Sequence, residues 1–163
     1  MSETTRVAEI HLAKGRRLPT RSVERVTAET GKGLVGDRYH GTRHRHVSVQ
    51  SRSQLDDAAE RYGAPIASAL TRRNLTVEDG EVPTAPGSRI TVGEGADAVE
   101  LEVVRVAAPC KLLDDTIGPD AQHALRRGRA GAVCRVLAGG EIAVGSTVVM
   151  SPPPPPSHDG EPG

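Results

Sequence analysis

A mainly β fold, closed or nearly closed into a barrel and carrying two or three short helices, is what the sequence predicts, and three observations carry that prediction. Stretches of β-branched and alternating residues recur along all 163 positions. Gly and Pro, 18 and 12 residues, punctuate the intervals between them. Only short segments show helical periodicity, which argues against a doubly wound sheet. Closure is expected because open edges in a chain this rich in valine would invite pairing with other chains.

In order along the chain, alternation predicts strands near Val7–Ala13, Ser22–Ala28, His46–Gln50, Asn74–Val77, Arg89–Val92, Val99–Ala107, Ala132–Leu137 and Ser146–Met150. The clearest reads Val99-Glu-Leu-Glu-Val-Val-Arg-Val106, with one wet face at its start. Its Val103-Val104 pair marks either deeper burial or a bulge. A helix is expected over Gln54–Tyr62, capped by Ser51 or Ser53, with Leu55, Ala58, Ala59 and Tyr62 on one stripe and Gly63 as its stop. A second is expected from Pro119, suited to a first turn, to about Arg127, closed by Gly128. Pro65–Thr71 is a third, shorter candidate.

The length suits one domain, residues 1–150, followed by a disordered proline-rich tail, 151–163, whose five consecutive prolines cannot join a sheet. The core is unusual in prospect, because the chain has no Phe, no Trp and only Tyr39 and Tyr62. Val, Leu, Ile and Ala must fill it, each burying less area than a ring. A formal net charge of zero gives no global pull toward nucleic acid or an acidic membrane, so any anion site is local. Neither a secretory start nor a membrane-length apolar run is present, so neither nucleic acid nor membrane is expected as a partner and a cytoplasmic location is expected. Cys110 and Cys134 are then reduced thiols.

Four patches carry possible chemistry. Gly31-Lys-Gly-Leu-Val-Gly-Asp37-Arg38-Tyr-His-Gly41 is either a turn-rich connector or a loop whose backbone approaches a ligand; it lacks the spacing of a Walker loop. His44 and His46, two apart, point to one side of a strand and suit an anion-facing stretch better than a zinc set, since no cysteine or carboxylate completes one nearby. Arg72, Arg73 and Asn74 form either a solvated basic turn or a phosphate clamp of guanidinium forks. Cys110, held by Pro109 at a strand end beside Lys111, is either a reactive thiolate or an inert thiol; Cys134, inside an apolar strand, fits the inert description. Between them Arg126-Arg-Gly-Arg129-Ala-Gly131 is a basic turn able to bring cations and amides to an anion.

Taken together, Gly-Leu-Val-Gly-Asp-Arg at 33–38, His-Arg-His-Val-Ser-Val at 44–49, Arg-Asn-Leu at 73–75, Pro-Gly-Ser-Arg-Ile at 86–90, Ala-Pro-Cys at 108–110 and Gly-Arg-Ala-Gly at 128–131 with Arg-Val-Leu at 135–137 resemble, in order and spacing, the MOSC domains, named for the C-terminal domain of molybdenum cofactor sulfurases. The resemblance covers nearly everything but the tail. It implies a β-barrel, a molybdenum cofactor (molybdopterin) or sulfur-handling role independent of pyridoxal, and Cys110 as the catalytic cysteine, either a molybdenum ligand or a persulfide carrier. It further implies that Arg72, Arg73 and Asn74 hold the cofactor's phosphate or pterin, while Asp37, Arg38, Arg129 and Arg135 shape the pocket. Implied activities are sulfur transfer, with a cysteine desulfurase as partner, or reduction of N-hydroxylated compounds, with an electron-donor protein. A non-catalytic cofactor carrier, a barrel recruited to carbon–sulfur or small-anion chemistry, and a Cys110–Cys134 redox pair are the alternatives. Two positions depart from the family pattern: Tyr39 stands where a histidine is frequent, with His40 beside it, and Ala132 or Val133 where an aromatic is common.

Overall fold

The computed structural model describes residues 2–155 apart from Arg17. Seven strands close into a barrel: β1 (Glu3–Leu12), β5 (Val47–Ser51), β6 (Leu75–Val77), β7 (Arg89–Val92), β8 (Val99–Val106), β9 (Ala132–Ala138) and β11 (Thr147–Ser151). They run in the order β11-β7-β8-β9-β5-β6-β1, and β1 returns to β11 with Glu3 opposite Met150 and Arg6 opposite Thr147. All pairs are antiparallel except β5–β6, where Val49 faces Leu75 and the chain crosses between them through a helix.

The predicted segment Ser22–Ala28 divides at Glu24. Its first part, β2 (Arg21–Val23), pairs with the end of β1, and its second, β3 (Arg25–Glu29), joins β4 (Gly33–Leu34) and β10 (Gly140–Ala143) in a three-stranded flap. Val26, Ala28, Leu34 and Ile142 turn inward from that flap and complete the barrel's core.

Alternation sets the faces. In β8, Val99, Leu101 and Val103 are buried while Glu100 and Glu102 look outward. The register slips by one residue at Val104, so the bulge reading of the Val-Val pair holds and the deeper-burial reading does not: Val106 is 42% exposed. A second bulge, at Ala8 in β1, lets that strand bend from β6 toward β11.

The core is mainly aliphatic, with Cys134 and Met150 among its members and Ile10, Leu34, Leu75, Ile90, Leu101 and Ile142 fully enclosed. A second apolar layer lies outside the wall, where α1 (Arg52–Tyr62), α2 (Lys111–Thr116) and α3 (Ala121–Ala124) pack over Val133 through Leu55, Ala58, Leu113, Ala124 and Leu125. That layer explains why β5 is buried on both faces. Helix α1 starts two residues earlier than expected and stops at Gly63, whose left-handed φ of 86° forms the cap. Pro65–Thr71 is only a 3₁₀ turn over Ser68–Thr71. The helix expected over Pro119–Arg127 is confined to Ala121–Ala124. Asp120 takes φ 68°, so Pro119 lies outside it, and turns fill the stretch to Ala130. Helix α2 was not foreseen. Of the tail, Pro152–Pro155 is exposed without regular structure, and the remainder of the predicted disordered segment lies outside the described residues.

Candidate functional site

Where the barrel's loops meet the helical layer, a cavity of about 600 Å³ opens. Its walls come from the end of β1 (Ala13, Arg16), the loop after β4 (Asp37, Arg38, Tyr39, Arg45), the approach to β6 (Thr71–Asn74) and the start of α2 (Cys110–Leu113, Asp115). Six cationic side chains line it, Arg16, Arg38, Arg45, Arg72, Arg73 and Lys111, against two carboxylates, Asp37 and Asp115.

Its floor is a hydrogen-bonded clamp. The Asn74 amide, 5% exposed, donates to the His11 carbonyl at 3.1 Å and to Asp37 Oδ1 at 3.2 Å. Its oxygen accepts from the Ser48 N–H at 3.0 Å and the Ser48 hydroxyl at 3.2 Å. All four polar valences are committed, so Asn74 ties β1, β5 and the Asp37 loop together and has none left for a ligand. Asp37 is committed likewise: Oδ1 also accepts the Ala13 N–H at 3.0 Å and Oδ2 the Tyr39 N–H at 3.3 Å, while the Arg38 N–H donates to the Ala13 carbonyl at 2.8 Å.

On this floor the arginines are placed by distinct means. Arg72 sits at φ 64°, a left-handed conformation rare outside glycine, and its two Nη groups hold the Leu18 and Gly15 carbonyls at 2.6 and 3.1 Å. Burial, then repulsion from Arg38, lowers its pKa. Arg73 is 7% exposed and donates Nε–H to the Ala130 carbonyl at 3.0 Å. Burial first, then the positive charge of Arg45, lowers its pKa to about 10, which leaves it cationic at neutral pH. The Arg38 and Arg45 guanidinium carbons each lie 4.3 Å from the centroid of the Tyr39 ring, and Arg38 also donates to the Tyr39 hydroxyl. The other terminal nitrogen of Arg38 is buried without an acceptor.

Cys110 is exposed on the cavity wall, immediately before α2. It lines the same cavity as Arg72 and Arg73, near enough to interact with both. Cys134 faces the barrel interior, fully buried, and burial pushes its thiol pKa up to about 12. One thiol is exposed and the other is packing.

The cavity therefore gathers Asp37, Arg38, Arg72, Arg73, Asn74, Cys110 and Lys111 among the residues singled out in the sequence, and leaves out four. His44 is exposed away from it. His46 is 2% exposed and locked into the backbone, its Nε2 against the Thr42 carbonyl at 2.8 Å and its Nδ1 accepting the Val136 N–H at 2.9 Å. Arg129 is spent on Asp57 at 2.9 Å and on the Ala124 and Arg126 carbonyls, pinning the α3 turn to α1. Arg135 pairs with Glu102 on the barrel's outer face. Two groups at the centre of the site, Tyr39 and Arg45, lay inside the quoted motifs, but nothing in their spacing marks a ring between two guanidinium groups; Arg16 carried no signal.

Fold and cavity together define a small β-barrel domain that presents a thiol among arginines. The chain belongs to the MOSC domain family, whose model matches residues 36–149. Among solved structures it is similar to the YuaD protein from Bacillus subtilis, at 21% identity and TM-score 0.78 over 93% of this chain and 98% of that one. It is also similar to YiiM from Geobacillus stearothermophilus, at 19% identity and TM-score 0.69, covering 91% and 75% of the two chains. YiiM from Escherichia coli gives 19% and 0.62 over 89% and 69%. At such identities the likeness is one of fold. No curated protein sequence matches the chain significantly.

Proposed function

We propose that the cavity holds an anionic, phosphate-bearing pterin of the molybdenum cofactor, with Cys110 as the sulfur group offered to it. The family's association with that cofactor supports the reading. The observation that carries it is Arg73: a guanidinium 7% exposed, without a carboxylate partner, in a cavity with an excess of cations. A buried charge left unpaired is destabilising by several kcal/mol, so the site is built for a negative ligand to complete it. The buried Arg38 nitrogen that lacks an acceptor fits the same group.

Arg38, Arg45, Arg73 and Lys111 would receive the phosphate and pterin oxygens, with Arg72 and Asn74 holding the walls in position. Cys110 would meet the metal, a soft thiolate suiting molybdenum. Molybdenum bound this way supplies redox chemistry suited to reducing N-hydroxylated compounds, with an electron-donor protein as partner. The exposure of Cys110 supports a second reading, in which a persulfide on that sulfur serves sulfur transfer with a cysteine desulfurase.

Pterin content tests the proposal. Protein from a cofactor-making host, oxidised to release a fluorescent pterin, is expected to yield near-stoichiometric pterin as wild type and about a tenth or less as Arg73→Ala. Equal pterin in both, or none in folded wild type, contradicts it.

A further inference from the structure

Arg73 donates Nε–H to Ala130, but neither of its Nη groups has an acceptor among the described residues, although the side chain is 7% exposed. Its nearest acidic side chains are the Cys110 thiol and the Tyr39 phenol, not a carboxylate, while Arg45 and Arg105 repel it. Arg38 contributes a buried, unpartnered nitrogen to the same cavity. An exposed thiol thus shares a wall with guanidinium donors that have nothing in the protein to bind. The small ligand that answers both features carries a multiply charged oxyanion head for the guanidiniums and an electrophilic sulfur for the thiol.

We propose that Cys110, in the protein before cofactor occupies the cavity, takes a sulfur atom from thiosulfate. This rests on the reading of the cavity as an anion site with Cys110 as its sulfur group, and adds the sulfur source. The Cys110 thiol gives its proton to solvent, and the thiolate attacks the outer sulfur of thiosulfate. The sulfur–sulfur bond of thiosulfate breaks, its electron pair leaves on sulfite, and the new bond makes Cys110 a persulfide. Charge balances, with three negative charges before and after, and no outside oxidant or reductant enters. Arg73 and Arg45, which line the same cavity as Cys110, stabilise the departing sulfite as its negative charge develops.

The test uses the full chain from a host that makes no cofactor, reduced, freed of reductant and mixed with thiosulfate. Intact mass spectrometry is expected to show the gain of one sulfur atom, localised to Cys110, with an equal amount of sulfite released. Cys110→Ser should show neither. Arg45→Ala, which keeps the buried Arg73–Ala130 contact, should slow the reaction about tenfold or more while leaving the circular dichroism spectrum unchanged. Folded wild type that gains no sulfur, gains it on Cys134, or reacts no faster than free cysteine overturns the inference. Wild type that loads pterin yet gains no sulfur overturns the inference alone. A persulfide without pterin loading supports the inference while contradicting the cofactor reading.

Discussion

At Gly131, φ is 88° and an added Cβ would lie 1.8 Å from the Val49 carbonyl oxygen, so β5 itself forbids a side chain there. Gly131→Ala should cost about 3 kcal/mol or prevent folding, read as a lower urea midpoint. Asn74→Ala strips partners from Ser48 and Asp37 together, and about 3 kcal/mol is the expected loss by the same measurement. His46 behaves differently because it is held neutral. Its Nδ1 accepts a hydrogen bond, and burial, above all, lowers its pKa from 6.5. The folded pKa being below the unfolded one, its contribution is present above about pH 6.5 and is lost as pH falls through the folded value. His11, also depressed by burial, adds to this slope. The melting temperature should therefore fall between about pH 7 and 5, and fall less steeply in His46→Gln. Residue types were legible in the sequence, but their duties were not. Asn74 and Arg129 look like ligand binders by chemistry and spend their donors on the protein, a fact that depends on neighbours brought in from distant segments.

At the scale of elements, the strands were legible because alternation records which face is wet. Leu101, fully enclosed in β8, gives the corresponding expectation: Leu101→Ala should lower stability by about 3 kcal/mol. Where one segment serves two sheets, alternation is silent, and β2 and β3 read as a single strand for that reason. Helix α2 escaped because its six residues, Lys111–Thr116, are too few to show a periodic stripe, and Leu113 alone anchors it. A Pro start and a Gly stop predict a longer second helix than forms, because positive φ at Asp120 and Arg127 breaks the stretch at both ends.

For the molecule as a whole, a net charge of zero conceals the separation that matters: six cations line one cavity, while carboxylates such as Glu100 and Glu102 line the barrel's outer face. Composition cannot reveal it, because the fold brings together loops from residues 13–16, 37–45, 71–74 and 110–115. Pro109 and the end of a strand draw attention to Cys110 in the sequence, and in the structure that thiol is exposed on the cavity that Arg72 and Arg73 also line. Molybdenum-to-protein ratio, measured by elemental analysis on wild type and Cys110→Ala purified without oxygen from a cofactor-making host, tests the central claim most directly. Near-stoichiometric metal in wild type and its loss in the variant is the predicted result; metal retained equally by both, or absent from both, would contradict the role assigned to Cys110 as the metal's sulfur ligand.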